Sequence, residues 1–144
     1  MSDALTISSL LAANERFYRT FESLDYPAMA ALWEDSERVF CVHPGWATLR
    51  GTQPVLDSWK RIIENTTAMR FNLTGSQALI DGNTGVVTVF EGIHSTVGRE
   101  RHSSGAISTN IFAFDAQAGL WKLFHHHASH TIIPEDEGEG TLLV

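Results

Sequence analysis

Between Leu5 and Leu24 apolar side chains return at mostly helical intervals (Ile7, Leu10, Leu11, Phe17, Tyr18, Phe21, Leu24), which predicts one amphipathic helix of about five turns. Asp25 and Pro27 mark a restart, with Asp near an N-cap and Pro in the first turn, and Ala28 to Trp33 continues as a short second helix. Arg38 to His43 is rich in β-branched and aromatic residues and reads as a strand that stops at the turn pair Pro44-Gly45. Gly51-Thr52-Gln53-Pro54 opens a third helix whose apolar face is Val55, Leu56, Trp59, Ile62 and Ile63.

After Thr67 the period changes to two. Four strand-like runs follow, 69–80, 85–95, 105–114 and 120–130, separated by polar, turn-forming linkers. Linkers this short join antiparallel neighbours, because parallel pairing needs a crossover of a dozen residues or more. The order helix, helix, strand, helix, four-strand meander predicts an α+β fold with three helices on one face of a curved antiparallel sheet. Three helices leave the other sheet face bare, and a homodimer through that face would cover it.

The chain has 144 residues, the length of one domain, here 1–133 followed by an acidic tail at 134–144. Ten Lys and Arg stand against seventeen Asp and Glu, a formal charge of −7. Glu135, Asp136, Glu137 and Glu139 lie in the tail, so the body is only mildly acidic. No basic field is present to recruit a polyanion, which argues against a nucleic-acid partner. One cysteine, Cys41, rules out an internal disulfide and a multi-Cys zinc site. No stretch approaches the roughly 18 apolar residues of a membrane span, and residues 1–13 lack the pattern of a secretory leader, so a cytoplasmic protein with no membrane partner is expected. Two Asn-x-Thr triplets, at Asn65 and Asn72, are then without meaning as glycan acceptors. Phosphate loops, nucleophile elbows and nicotinamide fingerprints are absent, and no cofactor is expected.

Several segments in this order resemble the nuclear transport factor 2-like superfamily, nearest its bacterial SnoaL-like members. They are Asp25-x-x-Ala28-Met29-Ala30-Ala31-Leu32-Trp33, Val42-His43-Pro44-Gly45-Trp46, Leu49-Arg50-Gly51, Ser108-Thr109-Asn110-Ile111-Phe112 and Trp121 to Ser129. The similarity covers about residues 8 to 130. It implies a cone-shaped fold with a pocket between helices and concave sheet, and usually a dimer through the convex face. It does not choose an activity, because the superfamily holds isomerases, dehydratases, cyclases and kinase association domains.

The run His125-His126-His127 is the most conspicuous chemistry. Strand alternation puts His125 and His127 on the face of Trp121 and Leu123, toward the pocket, and turns His126 away. Two such imidazoles, about 6.5–7 Å apart along the strand, could chelate a metal if His43, Glu91, His94 or His102 converged on them; otherwise they are hydrogen-bonded pocket groups. Glu91 shares the apolar face of Val87 and Val89, so its carboxylate is either pocket-facing with a raised pKa or a strand-edge group paired with Arg99 or Arg101. Beside His125 or His127 it would form an acid-base couple.

The resemblance makes His43 the candidate base, near the place of the general-base Asp of ketosteroid isomerase-like members; it could also only cap its strand. The same alignment puts Phe17 where those isomerases carry an oxyanion-holding Tyr, with Tyr18 on a different face. It also puts Glu91 and Asn110 where kinase association domains carry arginines. Catalysis is therefore expected at His43, Glu91 and His127, and ligand contact at Trp33, Trp46, Asn110 and His125. The reading is a small-molecule acid-base enzyme; the alternative is a non-catalytic binding or association module.

Overall fold

The computed structural model describes residues 4–132, so the acidic tail lies outside the described residues. Helix α1 (Ile7–Ser23) starts at a reciprocal cap: Thr6 Oγ1 accepts from the Ser9 amide at 3.0 Å and Ser9 Oγ accepts from the Thr6 amide at 3.1 Å. It stops at Leu24, whose φ of 54° is left-handed. Asp25 caps α2 (Tyr26–Ala30), which has Pro27 in its first turn. Strands β1 (Phe40–Val42) and β2 (Leu49–Arg50) precede α3 (Thr52–Glu64). The meander follows as β3 (Ala68–Asp81), β4 (Thr84–Val97), β5 (Glu100–Asp115) and β6 (Leu120–Thr131).

The six strands form one curved sheet in the order β2-β1-β6-β5-β4-β3. The meander is antiparallel throughout, and β1 adds to β6 in parallel, which is allowed because the whole meander separates them in sequence. This is the expected α+β architecture of a curved sheet and three helices. A two-residue strand such as β2 is too short for a periodicity signal.

Helix α1 buries the stripe Leu10, Asn14, Phe17 and Tyr18, spaced four, three and one residues apart. These pack with Val87, Val89, Trp59 and Phe71 into the core between helices and sheet. At one end the contact is so close that any side chain larger than glycine's at that sheet position would displace Leu10. A Cβ on Gly85 would lie 2.6 Å from Leu10 Cδ1 and 3.1 Å from Trp121 Cζ3. Gly85→Val is expected to destabilise the fold by about 1–3 kcal/mol. A denaturant midpoint equal to that of the parent protein would contradict this packing.

The most consequential irregularity lies in β6. Ile111 pairs with His125 while the next residue, Phe112, pairs with Leu123, so Phe124 is an extra residue in the strand. Before this bulge the buried positions are Trp121 and Leu123; after it they are His126 and Ala128. One inserted residue exchanges the two faces of everything beyond it. The expectation that His125 and His127 face inward and His126 outward is therefore reversed. His126 is buried at 4% exposure, His125 is half-buried and His127 exposed on the outer face.

Candidate functional site

Helix α1, the β1 end, α3 and the inner face of β3–β6 enclose a cavity of about 210 Å³. Its walls are mainly aromatic and aliphatic, with Phe17, Phe21, Phe71, Met69, Ile62 and Ile93 among them. The polar groups that reach it are Tyr18, His43, Glu91, Ser104, His126 and His130. Among the described residues no lysine or arginine lines it. Trp46 stands at the mouth, 38% exposed, its ring 4.8 Å from that of His43.

Under this lining Asn14, Tyr18, Glu91, Asn110 and His126 form one connected network. Tyr18 donates its only hydroxyl proton to Glu91 Oε2. Its oxygen must then accept from Asn110 Nδ2, 3.1 Å away, while the same amide nitrogen donates to Asn14 Oδ1 at 2.9 Å. That orients the Asn110 amide and leaves its carbonyl oxygen 2.6 Å from His126 Nδ1. His126 therefore carries its proton on Nδ1, and Nε2 keeps a lone pair on a ring that lines the cavity.

His43 is fixed by the same logic. Ser58 Oγ donates to the Val55 carbonyl at 2.7 Å, so it accepts from His43 Nε2 at 2.9 Å and leaves Nδ1 unprotonated. Cys41 Sγ flanks the ring, 3.6 Å from Nε2. The His43 and His126 ring centroids are 6.3 Å apart.

Burial sets the charge state of these groups. It pushes the His43 pKa down to about 4. It holds His126 well below the usual histidine range, with the neighbouring imidazoles His43, His125 and His127 adding to the effect. It raises Glu91, against hydrogen bonds from Tyr18 and Ser108 that favour the carboxylate. Tyr18 is raised by burial and then by the Glu91 charge. At neutral pH the cavity thus presents two neutral imidazoles and a carboxyl group poised above its ordinary value.

These shifts couple folding to pH. The unfolded chain protonates His43 near 6.5 but the folded protein only near 4, so the unfolded state takes up the proton first as pH falls. The associated stability is full above pH 6.5 and is lost toward pH 4, on the order of 3 kcal/mol for His43 alone. His126 acts in the same direction. Glu91 acts against it, because burial raises its folded-state pKa above the unfolded value, so its contribution to stability grows as pH falls toward 4.5. With two histidines opposing one carboxyl, the urea midpoint is expected to fall from pH 7 to pH 5. A midpoint that is flat or rises over that interval would contradict the buried neutral pair.

The expected site residues divide as follows. His43 and Glu91 reach the cavity, and Glu91 does lie on the buried face of Val87 and Val89. Trp46 lines its mouth. Asn110 is fully buried beneath the lining and acts through its hydrogen bonds. His125 and His127 do not reach the cavity, for the reason of the bulge. Trp33 does not either. Its backbone bridges Leu123, it is 4% exposed against Trp59, and it is a core residue. Tyr18 and His126 take places the sequence reading had given away. In Tyr18's case both Phe17 and Tyr18 are buried, because α1 sits in the concavity of the sheet and hides a wide arc. Asn14, a polar residue in the middle of the apolar stripe, was the available signal.

Helices laid over a curved sheet with a lined cavity between them define the nuclear transport factor 2-like class. Within it, residues 10–134 match the SnoaL-like domain, and the chain belongs to that family. In structure it is similar to a provisionally assigned dehydratase of the NTF2-like family from Streptomyces avermitilis, with TM-score 0.81 and 32% identity, covering 88% of this chain and 96% of that one. It is also similar to a provisionally assigned calcium/calmodulin-dependent protein kinase type II association domain from Thiobacillus denitrificans, with TM-score 0.71, 26% identity and coverage of 83% and 93%. A ketosteroid isomerase-like protein from Erwinia carotovora atroseptica shares the fold at 15% identity, with TM-score 0.72 and coverage of 86% and 95%. In sequence the chain is 24% identical over 132 residues to the F-box protein SKIP8 of Arabidopsis thaliana, matching 92% of this chain. It spans about half of that relative, 54% of its length.

Proposed function

We propose that this chain is a small-molecule enzyme that moves a proton next to a carbonyl group, by elimination of water or by isomerisation. The observation that carries the reading is the meeting of two neutral imidazoles and one raised carboxyl group in a single apolar cavity. His126 Nε2 takes the proton from carbon, with His43 Nδ1 as the second base. Glu91, held by Tyr18, returns a proton to the oxygen that gains charge or leaves. Low polarity strengthens each of these interactions.

The cavity also limits the substrate. Its volume is below the roughly 300–1,000 Å³ of drug-sized ligand sites, so the molecule is compact. With no cation in the lining to offset a phosphate or carboxylate, it is neutral. Similarity at 32% identity to a provisionally assigned dehydratase supports the elimination branch.

Two further elements belong to this reading. A homodimer through the outer sheet face would cover Ile107 and Leu79, exposed at 48% and 55%. The cytoplasm suits a chain whose one thiol is free and buried, and no helix of the described residues is long and apolar enough to cross a membrane. A non-catalytic association module is the second reading, favoured by the 26% identity to the association domain.

The test is incubation with small neutral ketones and β-hydroxy ketones in D2O, followed by mass spectrometry. Deuterium uptake or loss of water, dependent on His126, is the expected result. Compounds that occupy the cavity without exchange or dehydration would leave the association module standing.

A further inference from the structure

The bulge at Phe124 leaves His125 and His127 with no part in the cavity, yet it sets them side by side on the outer face of β6. Their ring centroids are 6.3 Å apart. His125 lies opposite Ile111 on β5 and Phe40 on β1, stacked with the Phe40 ring; His127 lies opposite Thr109 and Val42. We infer that His125 and His127 are half of a divalent transition-metal site on the outer sheet face, completed by the same pair from a second copy of the chain.

The chemistry follows from the ligands. Imidazole nitrogens bind zinc at about 2.0–2.1 Å, so rings two residues apart on one strand can share an ion after side-chain rotation alone. Imidazole selects zinc, copper or nickel and not calcium or magnesium, which take oxygen ligands. Two nitrogens do not close a tetrahedral site, and among the described residues no group of three or more metal-ligating side chains comes together. The missing ligands must therefore come from outside the chain.

The surroundings indicate what brings them. Around the pair the outer face is apolar or hydroxylic, with Phe40, Val42, Ile107, Thr109 and Ile111, and no carboxylate stands among these neighbours. The nearby cation, Arg50, holds its guanidinium over Phe40 at 5.0 Å. Strands β6 and β5 occupy the two middle places of the sheet. A two-fold axis running across the strands at the level of His125 and His127 opposes β6 to its own copy, and in that arrangement one histidine pair meets the other. Four imidazoles around one ion make a closed tetrahedral set.

This inference rests on the outer-face dimer proposed above, and the experiment separates the two. Metal-free protein is titrated with zinc chloride by calorimetry, and its sedimentation is compared in zinc and in EDTA. The expected results are about one ion bound per two chains and self-association tightened on the order of tenfold or more by zinc. Both effects are lost in His125→Ala/His127→Ala and kept in His102→Ala. Absence of zinc uptake, one ion per chain without effect on self-association, or uptake undiminished in the double variant would each overturn the site. A dimer formed equally in zinc and in EDTA overturns the metal site and upholds the dimer. A monomer under both conditions overturns both.

Discussion

Replacing His126 with glutamine is expected to lower turnover by roughly 10²–10⁴-fold on any substrate found by the exchange screen, with the fold intact. Glutamine approximates the length of the imidazole and can still donate an amide hydrogen to Asn110 Oδ1, so the network beneath the cavity keeps its partner. What it lacks is a basic nitrogen at the cavity surface. Substrate binding, fixed mostly by the aromatic walls, should change little, so the loss falls on kcat more than on KM. His127→Gln, on the outer face, serves as the comparison and should leave turnover unchanged. Equal losses in the two variants, or full turnover in His126→Gln, would remove His126 from the chemistry.

The second large effect is on stability. Asn110 is fully buried and joins Asn14, Tyr18 and His126 through one amide. Asn110→Leu keeps the approximate volume but leaves Asn14 Oδ1 without a partner and the His126 Nδ1 hydrogen with only Ser108 Oγ, 3.4 Å away. A buried group orphaned or weakly held costs about 1–3 kcal/mol, and a total of about 2–5 kcal/mol is expected from urea unfolding. The companion change Asn14→Leu removes only one acceptor from the network and should cost less. A loss below about 1 kcal/mol in Asn110→Leu would mean that the amide does not hold the network together.

The layout of the fold and part of the site were legible in the sequence, for physical reasons that can be named. Helix α1 and the meander carry long, unbroken periods, so their positions and the shared face of Glu91, Val87 and Val89 followed from spacing. Spacing left open whether that carboxylate faces the pocket or the strand edge. His43 was found through the resemblance, which sets it near the general-base Asp of ketosteroid isomerase-like members; its place at the end of a strand before Pro44-Gly45 alone fits a capping residue equally well. The histidine run failed because Leu123 and Phe124 are adjacent apolar residues, and either one can continue an alternating pattern. Only pairing with β5 decides that Phe124 is the extra one. That tertiary choice interchanged His126 with His125 and His127. Tyr18 was missed because a hundred degrees of helical rotation separates it from Phe17, and only the concavity of the sheet shows that both positions are covered.

The central claim is that the folded chain holds His126 neutral, protonated on Nδ1, with the Nε2 lone pair turned to the cavity. Nitrogen-15 NMR of the histidine rings reports both tautomer and charge directly. At pH 6 the account predicts an Nδ1-protonated neutral ring for His126 with its hydrogen bonded to Asn110, while free histidine at that pH is largely charged. A His126 signal typical of imidazolium at pH 6, or of a ring protonated on Nε2, would contradict it.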